Sequence, residues 1–207
     1  MINIDTGEVK QLTFGEYDCF SPAFSPDGKS LAFVSCREAN CETHMIPDLW
    51  VLALENGKLT RLTHGQGSVA APSYSPDGRF IAYIGSLRKD VAAAKSEILV
   101  VPASGGHIEV LTSEFDRSIG CSVSTDTRAD PGRVGPWWSK DGTFIYFVAT
   151  DRGYSKIFRV SFGSFKVEEV GVAQSVCSIQ NSASFHYPPV ISSLAFRTVG
   201  QEEIFAF

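Results

Sequence analysis

The phrase SPAFSPDGKSLAFVS, Ser21 to Ser35, returns fifty residues later as APSYSPDGRFIAYIG, Ala71 to Gly85. In Ser25-Pro26-Asp27-Gly28 each residue suits its place in a type I turn. Serine fits the first position, proline presets φ at the second, aspartate tolerates the third, and glycine takes the last. Glycine also supplies the positive φ that the bulged end of a hairpin loop needs. Apolar runs flank the turn, Ala23-Phe24 before it and Leu31 to Val34 after it. Strand, tight turn, strand is a β-hairpin.

The copies extend beyond the turn. Ser75-Pro76-Asp77-Gly78 precedes Ile81-Ala82-Tyr83-Ile84, and Ser139-Lys140-Asp141-Gly142 precedes Ile145-Tyr146-Phe147-Val148. A degraded fourth copy keeps Leu194-Ala195-Phe196. Each is followed by another apolar run: Leu49 to Leu52, Ile98 to Val101, Ile157 to Val160, and Ile204 to Phe207. A glycine-containing turn and a short strand ending in Leu-Thr come next, as in Leu54 to Thr63 and Pro102 to Thr112. Ile4 to Thr13 is the same element without its hairpin. Four short strands per unit, with a period of roughly 50 to 64 residues, predict a β-propeller, in which stacked sheets cover each other's faces. A β-sandwich is the alternative, but it does not require repeats that agree in order and turn chemistry.

The expected fold is therefore all-β: about four four-stranded antiparallel blades, forming part of a larger propeller. Residues 1–207 make one domain or fragment. Within it, 1–13 is the tail of a preceding or closing blade, 14–63, 64–112 and 113–170 are blades, and 171–207 is an incomplete blade. Met1 to Thr13 matches Val51 to Thr63, and Glu203 to Phe207 matches Asp48 to Leu52. Either the N-terminal strand closes a small four-bladed ring or the chain is an arc of a larger one. The arc is favoured, because four blades would force a sharp rotation between sheets. An arc leaves strand edges and apolar faces open to self-association.

Composition narrows the partners. The hydrophobic content is 43%, the charged content 20% and the net charge −5, with no basic run beyond Arg88-Lys89. Nucleic acid and anionic membranes are not expected partners. No apolar stretch approaches the ~20 residues that span a bilayer. MINIDTGEVK lacks the basic start and apolar core of a signal peptide, so a cytoplasmic location is expected. Five cysteines, Cys19, Cys36, Cys41, Cys121 and Cys177, show no framework spacing, which also favours a reducing compartment. Cys36, Cys41 and His44 lie within nine residues. Free thiols are the expected state, with a Cys36–Cys41 disulfide and a zinc site as the alternatives.

The chain has no G-x-S-x-G elbow, H-E-x-x-H pair, phosphate-cradling loop or dinucleotide fingerprint. His64 and His107 read as solvated turn residues, while His44 lies in a loop and His186 in the degraded copy. Asp27, Asp77 and Asp141 read as turn residues. No catalytic, cofactor-binding or metal-binding residue is assigned, and no cofactor is expected.

The S-P-D-G-x-x-[LI]-A-[FY] hairpin followed by an apolar strand and an L-T ending resembles the propeller repeat of TolB-like proteins and the prolyl oligopeptidase family. Glu114 to Arg128, leading towards WWSKDGTFIYFVATDRGYSKIFRV (Trp137 to Val160), is similar to the acylaminoacyl-peptidase branch. Asp151-Arg152-Gly153 and the long loop Arg88 to Lys95 carry part of that likeness. The resemblance implies an N-terminal propeller that caps a C-terminal α/β-hydrolase domain bearing a Ser-Asp-His triad and admits only small or unfolded peptides. No triad position can be carried over onto this chain. The implied role is steric gating and packing on the hydrolase domain, the missing partner. A free-standing TolB-like scaffold for a protein partner and an independent enzyme acting from the channel mouth are the other readings. Arg117 and Arg152 could face a peptide carboxylate or the hydrolase domain, but surface or inter-blade ion pairs are the favoured roles.

Overall fold

A computed structural model describes residues 1–38, 41, 46–88, 94–120 and 135–172. Twelve strands lie within them. The first blade comprises β1 (Cys19–Phe24), β2 (Ser30–Ser35), β3 (Asp48–Ala53) and β4 (Leu59–Arg61); the second comprises β5 (Val69–Tyr74), β6 (Phe80–Gly85), β7 (Glu97–Pro102) and β8 (Glu109–Val110). The third comprises β9 (Trp137–Trp138), β10 (Phe144–Asp151), β11 (Tyr154–Ser161) and β12 (Val167–Val172). Each set is one antiparallel sheet with its strands in chain order. Leu31 to Phe33, Ile81 to Tyr83 and Ile145 to Phe147 occupy second strands, as the repeat predicts. The fourth copy at Leu194 to Phe196, and most of the unit assigned to 171–207, lie outside the described residues.

The three Ser-x-Asp-Gly turns share one hydrogen-bond plan. The Ser25 hydroxyl donates to Asp27 Oδ1 at 2.6 Å, and the Lys29 and Ser30 amides donate to Asp27 Oδ1 and Ser25 Oγ at 3.0 and 2.9 Å. Ser75 with Asp77 and Ser139 with Asp141 repeat it. Gly28, Gly78 and Gly142 carry φ of +69°, +72° and +73°. The turns are stacked as well as repeated: a Cβ on Gly78 would touch the Pro26 ring, and one on Gly142 the Pro76 ring.

Strand alternation buries both faces of the middle blade. Ile81, Tyr83, Leu99 and Val101 pack on Ala32, Val34, Leu49, Val51 and Leu62 of the first blade. Ala82, Ile84, Ile98 and Val100 pack on Ile145, Phe147, Phe158 and Val160 of the third. The Trp138 indole N–H crosses to the Ser73 carbonyl at 3.1 Å, which pins the third blade to the second. The Leu-Thr ending has two separate jobs. Leu62 and Leu111 are buried, while the Thr63 and Thr112 hydroxyls each accept the amide of the third strand's second residue, from Leu49 and Ile98, at 2.9 Å.

Residues 1–10 form the same hairpin that joins the third and fourth strands of the first blade. Ile2 pairs with Val9 across a gap of seven, just as Leu52 pairs with Leu59. Asn3 exchanges the same backbone bonds with Glu8 and Gly7 that Ala53 makes with Lys58 and Gly57. Leu12 then packs beside Leu31, Phe33 and Leu52 on the first blade, in the manner of Leu62 on the second.

Candidate functional site

The tight Ser-x-Asp-Gly turns lie at one end of the sheets. Connections from second to third strands, and crossings between blades, lie at the other. The buried carboxylates, Asp48 and Asp151, and their cation partners lie at this second end.

On the first blade the buried Asp48 carboxylate accepts the Thr63 hydroxyl at 2.7 Å and the Gly65 amide at 2.8 Å. Arg61 pairs with Asp48 and also with Glu38, the latter at 2.6 Å. Glu38 lies in the loop closed by a disulfide between Cys36 and Cys41, whose Cα atoms are 5.9 Å apart. That bond corrects the expectation of free thiols. The two cysteines flank only four residues, so a short connection leaving β2 brings them into range, which spacing alone did not decide. It also removes the part of the cysteine argument for a reducing compartment that rested on unpaired thiols. Cys19 is a free, exposed thiol.

On the second blade Lys95 pairs with Glu97 at 3.1 Å and donates to the carbonyls of Thr112, Ser113 and Phe115, so this cation clamps the blade's exit segment. On the third, Asp151 accepts Lys156 Nζ at 2.8 Å and Arg117 Nε at 2.9 Å. Its carboxyl is held below the usual range by Lys156 first and Arg117 second. Arg117 also pairs with Asp116 at 2.7 Å, and Lys156 with Glu169 at 3.1 Å. Arg117 thus ties the incoming crossing to the third blade, the ion-pair role favoured from sequence. Arg152 stands exposed at the tip of the β10–β11 hairpin with φ of +51°, beside Gly153 at +83°. Its strands run eight residues, against six in β2, β3, β6 and β7, so this hairpin reaches further from its sheet.

His64 and His107 are exposed, and His44 and His186 fall outside the described residues. Three features had no signal in the repeat. Arg37 sits within 5.2, 5.6 and 5.8 Å of the Tyr17, Phe33 and Trp50 rings. The Tyr74 hydroxyl is buried without a hydrogen-bond partner, and burial pushes this phenol up from its ordinary value. At the turn end, a cleft of about 340 Å³ lies between the second and third blades, floored by Phe80, Trp138 and Phe162 and edged by Arg79 and Lys140.

Residues 1–130 match the family described as the TolB beta propeller domain. The uncharacterized peptidase YuxL of Bacillus subtilis (strain 168) is 38% identical over 161 residues, which is 78% of this chain and 24% of that protein. The chain therefore spans about a quarter of the length of that curated relative. Among solved structures, TolB from Acinetobacter baumannii superposes with a TM-score of 0.65 at 20% identity, over 97% of this chain and 43% of that one. The tricorn protease superposes with a TM-score of 0.53 at 17% identity, over 77% of this chain and 15% of that one. At such identities the structural likenesses show the fold.

Proposed function

The chain belongs to the TolB β-propeller domain family, and from that premise we propose that it is the non-catalytic propeller of an acylaminoacyl-peptidase-like serine peptidase. In this role it gates access to an α/β-hydrolase domain and packs on it. The observation that carries the reading is the 38% identity to a peptidase, confined to 24% of that relative's length. Rigid blades around a channel exclude folded protein and let short or unfolded peptides pass. The charged end of the sheets, with Arg152 on its projecting hairpin, is the surface that meets peptide or hydrolase domain, and the cytoplasm is the proposed setting.

A chimera tests this. These 207 residues replace the matching segment of the Bacillus subtilis relative, and hydrolysis of acylated amino-acid anilides is compared with that of a folded protein. Cleavage of the short substrate alone is expected, while equal cleavage of both would defeat the gating role. The isolated chain should cleave neither. Turnover that survives purification and disappears on mutating one of its serines or cysteines would move catalysis into the chain itself.

A second reading, a free-standing TolB-like scaffold for a protein partner, draws on the TM-score of 0.65 to TolB over 97% of the chain. It predicts a folded, partner-binding protein with no need of a hydrolase domain.

A further inference from the structure

Every other half-buried cation among the described residues has a carboxylate. Arg61 has Asp48, Lys95 has Glu97, Arg117 and Lys156 share Asp151, and Arg159 has Glu168. Arg37 has none. Its Nε is buried without an acceptor, and among the described residues Nη2 reaches the Cys19 sulfur at 3.6 Å. The Tyr17, Phe33 and Trp50 rings frame the guanidinium. Rings offset part of the cost of holding the charge there but accept no strong N–H bond. A buried donor left unmade carries most of its desolvation penalty.

Position adds to the case. Cys19 opens β1 opposite Ser35, the last residue of β2, so Arg37 stands just beyond the sheet at its charged end. The first strands of successive blades touch, β1 on β5 and β5 on β9, and so run nearest the propeller axis. Arg37 therefore lies near the axial side of that end. In the second blade the matching residue, two beyond Gly85, is Leu87, so the repeat itself does not call for arginine here.

We propose that Arg37 is a binding site for the C-terminal carboxylate of a peptide entering at this corner. A guanidinium presents its N–H groups as a planar fork that a carboxylate fills with two parallel bonds. Tyr17 and Cys19, both exposed, are the side chains that give way to admit it. Trp50 offers an aromatic wall to the peptide's last side chain. The inference rests on the peptidase reading for its ligand, yet it fails separately: the chimera can gate substrates while Arg37 ignores carboxylates.

The test titrates the full chain with acetyl-Ala-Ala-Phe, with its C-terminal amide, and with the amide of acetyl-Ala-Glu-Phe, following tryptophan fluorescence and heat. The free acid should bind at least tenfold more tightly than either amide. Arg37→Met should erase that preference, with the thermal midpoint recorded to confirm folding. Arg37→Lys, which keeps the charge without the fork, should retain part of it. Equal binding of acid and amide, no saturation by the acid at 10 mM, or a preference that survives in folded Arg37→Met would overturn the proposal. Tight binding of the Glu-containing amide would overturn the assignment to a chain terminus. Should Arg37→Met not fold, an undiminished preference in Arg37→Lys overturns it.

Discussion

Each Ser-x-Asp-Gly turn is a small acid–base device. The Ser139 hydroxyl is the largest influence on Asp141, and with the Thr143 amide and hydroxyl it brings that carboxyl to about 2. The Ser25 hydroxyl lowers Asp27 in the same way. At Asp77 burial acts in the opposite sense, but the Ser75 hydroxyl and the Arg79 amide and guanidinium together outweigh it. A carboxylate whose folded value is depressed stabilises the fold above its unfolded value near 3.8 and loses that contribution as pH falls through the folded value. Thermal midpoints should therefore be insensitive to these turns above about pH 5 and fall between about pH 4 and 2. Asp141→Asn should flatten that acid limb; an unchanged limb would remove the turn from the account. Ser139→Ala deletes both the hydroxyl donated to Asp141 and the acceptor of the Phe144 amide, and should cost about 1 kcal/mol in chemical denaturation. The Cys36–Cys41 bond has its own check, a peptide pair linked under non-reducing mass spectrometry that separates on reduction. Closing so short a loop is worth about 2 kcal/mol in the chain-entropy account, so reduction should lower the midpoint measurably.

At the scale of strands and blades, two glycines carry more weight than the turn glycines. A Cβ on Gly85 would lie 2.0 Å from the Ser68 carbonyl oxygen, and one on Gly67 only 1.8 Å from that of Ser86. Both contacts are with backbone, where the crossing into the second blade passes against the end of β6. Gly85→Ala should thus cost about 1 to 3 kcal/mol by forcing the crossing outward. Gly28→Ala meets nothing within 4 Å and bears only its φ of +69°, a strain of about 1 kcal/mol. Equal costs in urea unfolding would argue against the close crossing. The sequence made the blades legible because turn chemistry and apolar alternation are local and were printed three times. Met1 to Thr13 was legible as an outer hairpin for the same reason. Gly67 looked like any loop glycine, since its constraint comes from a carbonyl nineteen positions away. Arg37 was silent too: three rings gathered from β2, β3 and the segment before β1 define its setting, and no local spacing encodes them. The disulfide fell between these cases, short enough to close but unreadable without the course of its loop.

At the scale of the whole molecule, the unequal treatment of blade faces decides how the chain behaves alone. The second blade is covered on both sides, but the outer hairpin of residues 1–10 repeats the β3–β4 register with no inner strand beside it among the described residues. Its apolar side chains show the consequence: Ile2, Ile4 and Val9 are 64%, 88% and 72% exposed, whereas Leu52, the counterpart of Ile2, is 5% exposed. Phe14 follows at 72%. A lone two-stranded hairpin is marginal in water, and an unpaired edge beside bare apolar groups is a template for another chain. We therefore expect the 207-residue chain to self-associate through this hairpin. Static light scattering over a dilution series should give an apparent mass that rises with concentration. Ile2→Glu combined with Val9→Glu should lower that mass without shifting the thermal midpoint, because neither side chain is packed in the blades. A monomer at every concentration would mean that the hairpin's inner edge is satisfied within one chain, as a small closed ring requires. Association unaffected by the two glutamates would move the contact to another edge.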